Sequence, residues 1–248
     1  LKLLFLVGGY DLEMAEIIKI LEQNNQDYID KHLTWGAKLS DYQEEIQLHK
    51  DRTIVGIELI KDITPPAHYI EIDHHNQKIN ELSSIEQIAN MLNIKLTRYQ
   101  QLIAVNDKSH IKGLIKFGAT KDEIEEIRRK DREYQGVTEL DEELAEQSIK
   151  DHLKIKKGVV VVSSLTQRFS PIADKLYKFD RVIIHTKDEI NYYGLKAKEL
   201  GEKYSKVYGE NIVYFGGTED GFFGFEKGAL DEEQIEKIIQ EVVEYVGD

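Results

Sequence analysis

Short apolar runs alternate with segments of helical spacing through the first half of this 248-residue chain, and this alternation constrains the fold more than any other feature. Leu3–Val7, Thr53–Ile57 and Tyr69–Ile72 read as strands. Between them, residues 12–23 place Leu12, Ala15, Ile18, Ile20 and Leu21 at helical spacing, residues 27–33 read as a short strand, and residues 41–49 as a helix. A helix over 84–92, with Ser83 or Ser84 as its cap, and helical spacing over 97–105 follow. Repeated strand–helix units lay successive strands parallel with helices over the sheet. The expected fold class is therefore α/β, with a parallel-sheet N-terminal domain.

The middle of the chain is acidic and helical. Thr120 is placed to cap a helix running to about Tyr134, with Asp122 and Glu123 putting negative charge in its first turn. Gly136 ends that helix and residues 138–153 form another. The basic stretch 154–157 reads as a linker, dividing the chain into domains over 1–153 and 158–248. The second, smaller α/β domain has strands at 159–162, 181–185 and 212–215, and a hairpin partner at 189–193. Its helices span 170–177, 195–207 and 231–246.

One cluster stands out for chemistry. Asp73-His74-His75 follows the Tyr69–Ile72 strand, so a carboxylate and two imidazoles sit at a strand's C-terminal end, where open α/β sheets form ligand sites. With 8 His in the chain, only about 0.2 adjacent His pairs are expected by chance. Other carboxylates fall at comparable places. Asp11 and Glu13 lie just after the first strand behind Gly8-Gly9, Glu58 follows the third, and Asp107 ends a helical run. In a parallel sheet Asp11, Glu13, Glu58, Asp73 and His74 converge on one edge, with Asp107 joining from a helix end. Such a ligand set suits a two-metal site for displacement at phosphorus.

The bulk composition narrows the chemistry. There is no Cys, so no disulfide or thiolate metal site exists, and His with carboxylates favours Mn²⁺ or Mg²⁺ over Zn²⁺. A formal charge of −13 argues against a broad grip on duplex DNA. No segment approaches the length of a membrane span, and a cytoplasmic protein without membrane contact is expected.

These residues resemble the DHH phosphoesterase superfamily in its two-domain DHH–DHHA1 form. Asp73, His74 and His75 match the name-giving motif, and Asp107 in Ala104-Val-Asn-Asp107 looks like the lone fourth-motif Asp. In the first motif Asp11 matches the first Asp, Glu13 stands where the second belongs, and Gly9 stands where the family has His. Glu58 is the candidate for the bridging Asp, and Gly216-Gly217-Thr218-Glu219 replaces the C-terminal Gly-Gly-Gly-His. The resemblance implies a phosphoesterase using one or two divalent ions, Mn²⁺ or Mg²⁺, on a nucleotide or a short linear or cyclic oligonucleotide. It implies Asp11, Glu13, Glu58, His74 and Asp107 as metal ligands and Asp73, His74 and His75 as catalytic residues. Gly216, Gly217 and Glu219 would grip the substrate. The departures at Gly9 and Glu219 motivate the alternative, a relative that binds a nucleotide or partner without catalysis. Oligomeric state stays open.

Other residues carry weaker signals. Trp35 reads either as a base-stacking lid with Lys38 meeting a phosphate, or as a half-buried Trp in a capping loop. Arg168 precedes the helix start at Ser170, where a phosphate could sit, and reads equally as a surface Arg. Phe222 and Phe223 are expected to pack the small domain. His49, His68 and His110 are expected at the surface, and Arg128-Arg-Lys130 as a solvated helix face.

Overall fold

A computed structural model describes residues 2–34, 36–75, 78, 80–217 and 221–247. The chain divides into two compact units, residues 1–136 and 137–248. The first unit contains β1 (Leu3–Val7), α1 (Leu12–Gln23), β2 (Tyr28–Ile29), α2 (Gln43–Leu48), β3 (Thr53–Ile57) and β4 (Tyr69–Ile72), then α3 (Ser84–Leu92), α4 (Arg98–Phe117) and α5 (Lys121–Tyr134). A 3-10 turn, Leu39–Tyr42, leads into α2.

Among the described residues the strands form a sheet in the order β2-β1-β3-β4. Every pairing in it is parallel, with Phe5 opposite Val55 and Ile57 opposite Ile72. Both faces are covered, which is why β1 and β3 are apolar at consecutive positions instead of alternating. On one face Phe5, Val7, Val55 and Ile57 pack against Met14, Ile17, Ile20 and Leu21 of α1 and Ile85 and Ile88 of α3. On the other, Leu4, Leu6 and Ile54 pack against Leu39, Tyr42 and Ile46. Each fully buried large apolar side chain here stabilises the unit by about 1.5–3 kcal/mol.

This order positions the site. From β1 the chain pairs first to one side with β2, then returns to the other side with β3, so the order reverses at β1. Crevices for ligands form outside the C-terminal strand ends at such a reversal. Gly8 lies at this point: a Cβ there would meet the Ile57 carbonyl oxygen at 2.3 Å and the Glu58 carbonyl oxygen at 2.7 Å. Only glycine lets the chain leaving β1 pass so close to the end of β3.

The second unit contains α6 (Glu139–His152), β5 (Leu153–Lys156), β6 (Val159–Ser163), α7 (Ser170–Lys175), β7 (Arg181–His185), β8 (Ile190–Gly194), α8 (Ala197–Tyr208), β9 (Val213–Gly216), β10 (Phe222–Phe225) and α9 (Glu232–Val246). Its sheet runs β5-β6-β7-β8-β10-β9, antiparallel except for β6 with β7. Phe223 and Phe225 are buried with Tyr204, Ile238 and Val242, so the aromatic run packs this core, while Phe222 stays partly exposed.

Several boundaries differ from the sequence reading. The strand expected over 27–33 stops at Ile29. His32 adopts φ +52° and its N–H donates to Asp30 Oδ1, so a turn competes with the ladder. The linker expected at 154–157 is mostly β5, paired antiparallel with β6. Lys157 (φ +47°) and Gly158 (φ +73°) make the two-residue turn with both φ positive that joins such strands. The division between units falls near 136, because Ala145 and Ile149 of α6 pack with Val160 and Val162 of β6. No helix of the described residues is long and apolar enough to cross a membrane.

Candidate metal centre

The site is built at the C-terminal ends of β1, β3 and β4. Asp11 is the N-cap of α1, its Oδ1 accepting from Met14 N–H at 2.8 Å. Glu13, in the first turn of α1, is almost fully buried, and its Oε1 accepts from Ile85 N–H at 3.1 Å at the start of α3. Glu58 follows β3 directly with φ +52°. That left-handed backbone costs a non-glycine residue about 1–2 kcal/mol and turns its side chain away from the strand direction. The Ser84 hydroxyl donates to Glu58 Oε1 at 2.6 Å. Ser83 supplies the helix cap of α3, which leaves Ser84 for Glu58.

His74 is the hub. Its Nε2 lies 2.6 Å from Asp107 Oδ2, 3.5 Å from Glu58 Oε1 and 3.7 Å from Glu13 Oε2. The imidazole is buried, 5% exposed. His75 stacks beside it with ring centroids 4.3 Å apart. Asp73 serves His75 and not His74: its Oδ1 accepts from the His75 N–H at 3.0 Å and contacts His75 Nδ1 at 2.9 Å. Ligand atoms of Glu58, His74, His75 and Asp107 all fall within 4.8 Å of one another, a spacing compatible with one bound metal ion.

The electrostatics follow from crowding carboxylates in a dry place. Burial, with the charges of Asp107 and Glu58, raises Asp11 from 3.8 to about 7. Burial and Asp107 also hold Glu13 well above the ordinary carboxylate range. Burial disfavours charge on His74, but Asp107, Glu13 and Glu58 outweigh it and raise the imidazole to about 12. Burial likewise pushes Glu58 upward, and the nearby His74 imidazole, the charge of His75 and the Ser84 hydroxyl pull it below its usual value. Asp73 holds His75 above its ordinary value, and Asp73 is lowered in turn because the bond from His75 outweighs its burial.

These residues fit a divalent cation. Glu13 Oε2, His74 Nε2 and Asp107 Oδ2 are all buried and make no directed hydrogen bond, although His74 and Asp107 stand close enough for an ion pair. Orphaned buried polar atoms are costly, and three from three elements facing one point make a ligand set of oxygen and imidazole.

The first unit brings part of the residues proposed from sequence together. Glu13, Glu58, His74, His75 and Asp107 come together, and the charges of Asp107 and Glu58 act on Asp11. Asp107 does not end its helix: α4 continues to Phe117, with a break at His110 (φ +46°, ψ −148°). Gly216 closes β9, and Gly217, at φ +82°, would bring a Cβ within 2.7 Å of Gly221 Cα. Glu219 and Trp35 lie outside the described residues. Lys38 is exposed, its charge acting on Asp62. Arg168 is exposed before the six-residue α7, its N–H donating to Thr166 Oγ1.

Sequence reading missed a buried network behind Asp107. Arg128 is 5% exposed, not on a solvated face. Its guanidinium donates to Asn106 Oδ1 at 3.0 Å and Asp131 Oδ2 at 2.7 Å, and meets His110 Nδ1 at 3.5 Å. The signal was present: Ile124, Ile127, Arg128 and Asp131 follow helical spacing on one face of α5.

The fold is shared with a solved DHH domain. Among solved structures, the chain is similar to a pGpG-specific phosphodiesterase, PggH, from Vibrio cholerae, with a TM-score of 0.51, 13% identity and coverage of 100% of both chains. It is also similar to the DHH domain of a member of a ribosomal-protein family, with a TM-score of 0.52, 10% identity and coverage of 99% of this chain and 86% of the other. Neither a protein family nor a curated protein matches the sequence.

Proposed function

We propose that this protein is a metal-dependent phosphoesterase that cleaves phosphodiester bonds of a nucleotide or a short oligonucleotide, linear or cyclic. The observation that carries the reading is the buried His74 Nε2 facing Glu13, Glu58 and Asp107, each contributed by a different element. Asp11, Glu13, Glu58, His74 and Asp107 would hold the ion, Mn²⁺ or Mg²⁺. When bound, it supplies positive charge against the phosphoryl oxygens. His75, its Nδ1 engaged by Asp73, which holds it above the usual imidazole value, would contact the scissile phosphate or the ion. Gly216 and Gly217, with Glu219, Arg168 and Lys38, are proposed substrate contacts.

Purified protein should cleave pGpG when manganese is added, and lose that activity with EDTA. Absence of manganese-dependent hydrolysis of any nucleotide diester would falsify the proposal. A second reading, a nucleotide- or partner-binding protein without catalysis, is favoured by Gly9 in place of an imidazole and by the use of Asp11 Oδ1 as a helix cap. Metal analysis separates the two: tightly held ions favour the enzyme, and none favours the binder.

A further inference from the structure

Beside the acidic centre lies a group of aromatic rings that the phosphoester chemistry leaves unused. Tyr10, between Gly9 and Asp11, is 43% exposed, although it stands next to a carboxylate of the centre. Its ring meets His32 edge-on at 6.1 Å and Tyr134 edge-on at 5.8 Å. Tyr134 lies one helical turn after Asp131, whose charge acts on Asp11, so this end of α5 flanks the same side of the site. Tyr134 is anchored, packed with Leu12, Leu102 and Ile127.

His32 is held in an unusual way. It takes φ +52°, its N–H donates to Asp30 Oδ1 at 2.7 Å, and its Nδ1 lies 3.0 Å from Asp30 Oδ2. Its side chain is nevertheless 80% exposed. A strained backbone pinned by a carboxylate, with the imidazole kept in solvent against Tyr10, gains no burial in return. Such strain persists where the fold needs a side chain at one place.

We propose that Tyr10, flanked by His32 and Tyr134, is a stacking subsite for the nucleobase of the nucleotide whose phosphate occupies the Asp11–His74–Asp107 centre. The occupant class is a nucleoside phosphate, bound by its base through ring stacking, which tolerates any base because each has a π-face. This inference rests on the nucleotide reading of the centre and deepens it, since a phosphoesterase for inorganic or sugar phosphates has no use for the rings.

The test is isothermal titration with 5′-GMP and with ribose 5-phosphate, both with manganese present. The pair shares the phosphate and sugar and differs in the base. Wild-type protein is expected to bind GMP about 5- to 150-fold more tightly than ribose 5-phosphate, the range of one base–aromatic stack. Tyr10→Leu should remove that preference without weakening ribose 5-phosphate, and Tyr10→Phe should keep it. His32→Leu, at an exposed position, should lower the same preference and serves as the second variant. A wild type with no preference for GMP, or a Tyr10→Leu protein that keeps the full preference, overturns the subsite. The readout is independent of turnover. A protein that shows Tyr10-dependent GMP binding but hydrolyses no diester keeps the subsite and loses the phosphoesterase reading. One that hydrolyses pGpG with KM unchanged by Tyr10→Leu does the reverse.

Discussion

Replacing Asp11 with Asn should stabilise the metal-free protein, and the structure sets both the size and the pH range of the gain. Asp11 caps α1 through Oδ1, and Asn caps equally well with its own Oδ1, so the bond from Met14 N–H survives. What disappears is a charge held among Asp107, Glu58 and Asp131. The carboxyl is raised from 3.8 to about 7 in the folded chain, which corresponds to a ceiling of about 4 kcal/mol. Asp11 is only partly buried, and solvent screening brings the expected gain to about 1–2 kcal/mol.

The direction follows from proton uptake. Below about pH 4 the carboxyl is protonated in both states and contributes nothing. Between about 4 and 7 the unfolded chain is ionised and the folded chain is not, so wild-type stability falls as pH rises. Above about 7 the penalty is constant. Urea unfolding in EDTA, followed by circular dichroism, should therefore show Asp11→Asn more stable at pH 8.5, with a gap that narrows toward pH 4. Manganese should reverse the order, because a ligand at a hundredfold its Kd stabilises the wild type by about 2.7 kcal/mol and the variant by less. An Asn variant no more stable than wild type at pH 8.5, or a gap that widens on acidification, refutes the account of Asp11 as a carboxyl raised by burial and its charged neighbours.

Three further outcomes are expected. His74→Ala should lower manganese affinity at least about tenfold in titration calorimetry, since it removes the nitrogen that faces Glu13, Glu58 and Asp107; unchanged affinity would move the metal centre elsewhere. Arg128→Met should destabilise the first unit by about 3–5 kcal/mol in urea unfolding, because Asp131 and Asn106 lose a buried charged partner. An exposed Arg would cost almost nothing, so a change below about 0.5 kcal/mol contradicts the buried network. Gly8→Ala should cost about 1–3 kcal/mol in the same assay, its Cβ being forced onto the Ile57 and Glu58 carbonyl oxygens; wild-type stability would show that the close passage at the end of β3 is not required.

Much of the first unit was legible in the chain because its signals are local. Leu3–Val7 and Thr53–Ile57 are apolar at every position that a two-faced sheet covers, except Gly56, and that pattern needs no partner to be read. Gly56 itself has a tertiary cause: a Cβ there would fall 2.1 Å from the Tyr69 hydroxyl. The cap at Thr120 was visible for the same local reason, with Glu123 as its acceptor three residues on. The short strand at 28–29 and β5 were misjudged because their fate depends on competition. Asp30 draws His32 into a turn, and β6 recruits Leu153 and Ile155 into a ladder.

The site divides in the same way. Order along the chain dictates which groups can meet: Asp11, Glu13, Glu58, Asp73 and His74 follow strands that the βα alternation makes parallel, and a parallel sheet puts all such ends on one edge. What each group does there is set by packing in three dimensions. It gave His74 to three carboxylates and His75 to Asp73, lent Ser84 to Glu58, and buried Arg128 behind Asn106. Those choices depend on distances of a few ångströms between segments far apart in sequence, and on the cost of burying charge, which exists only once the chain has closed around it.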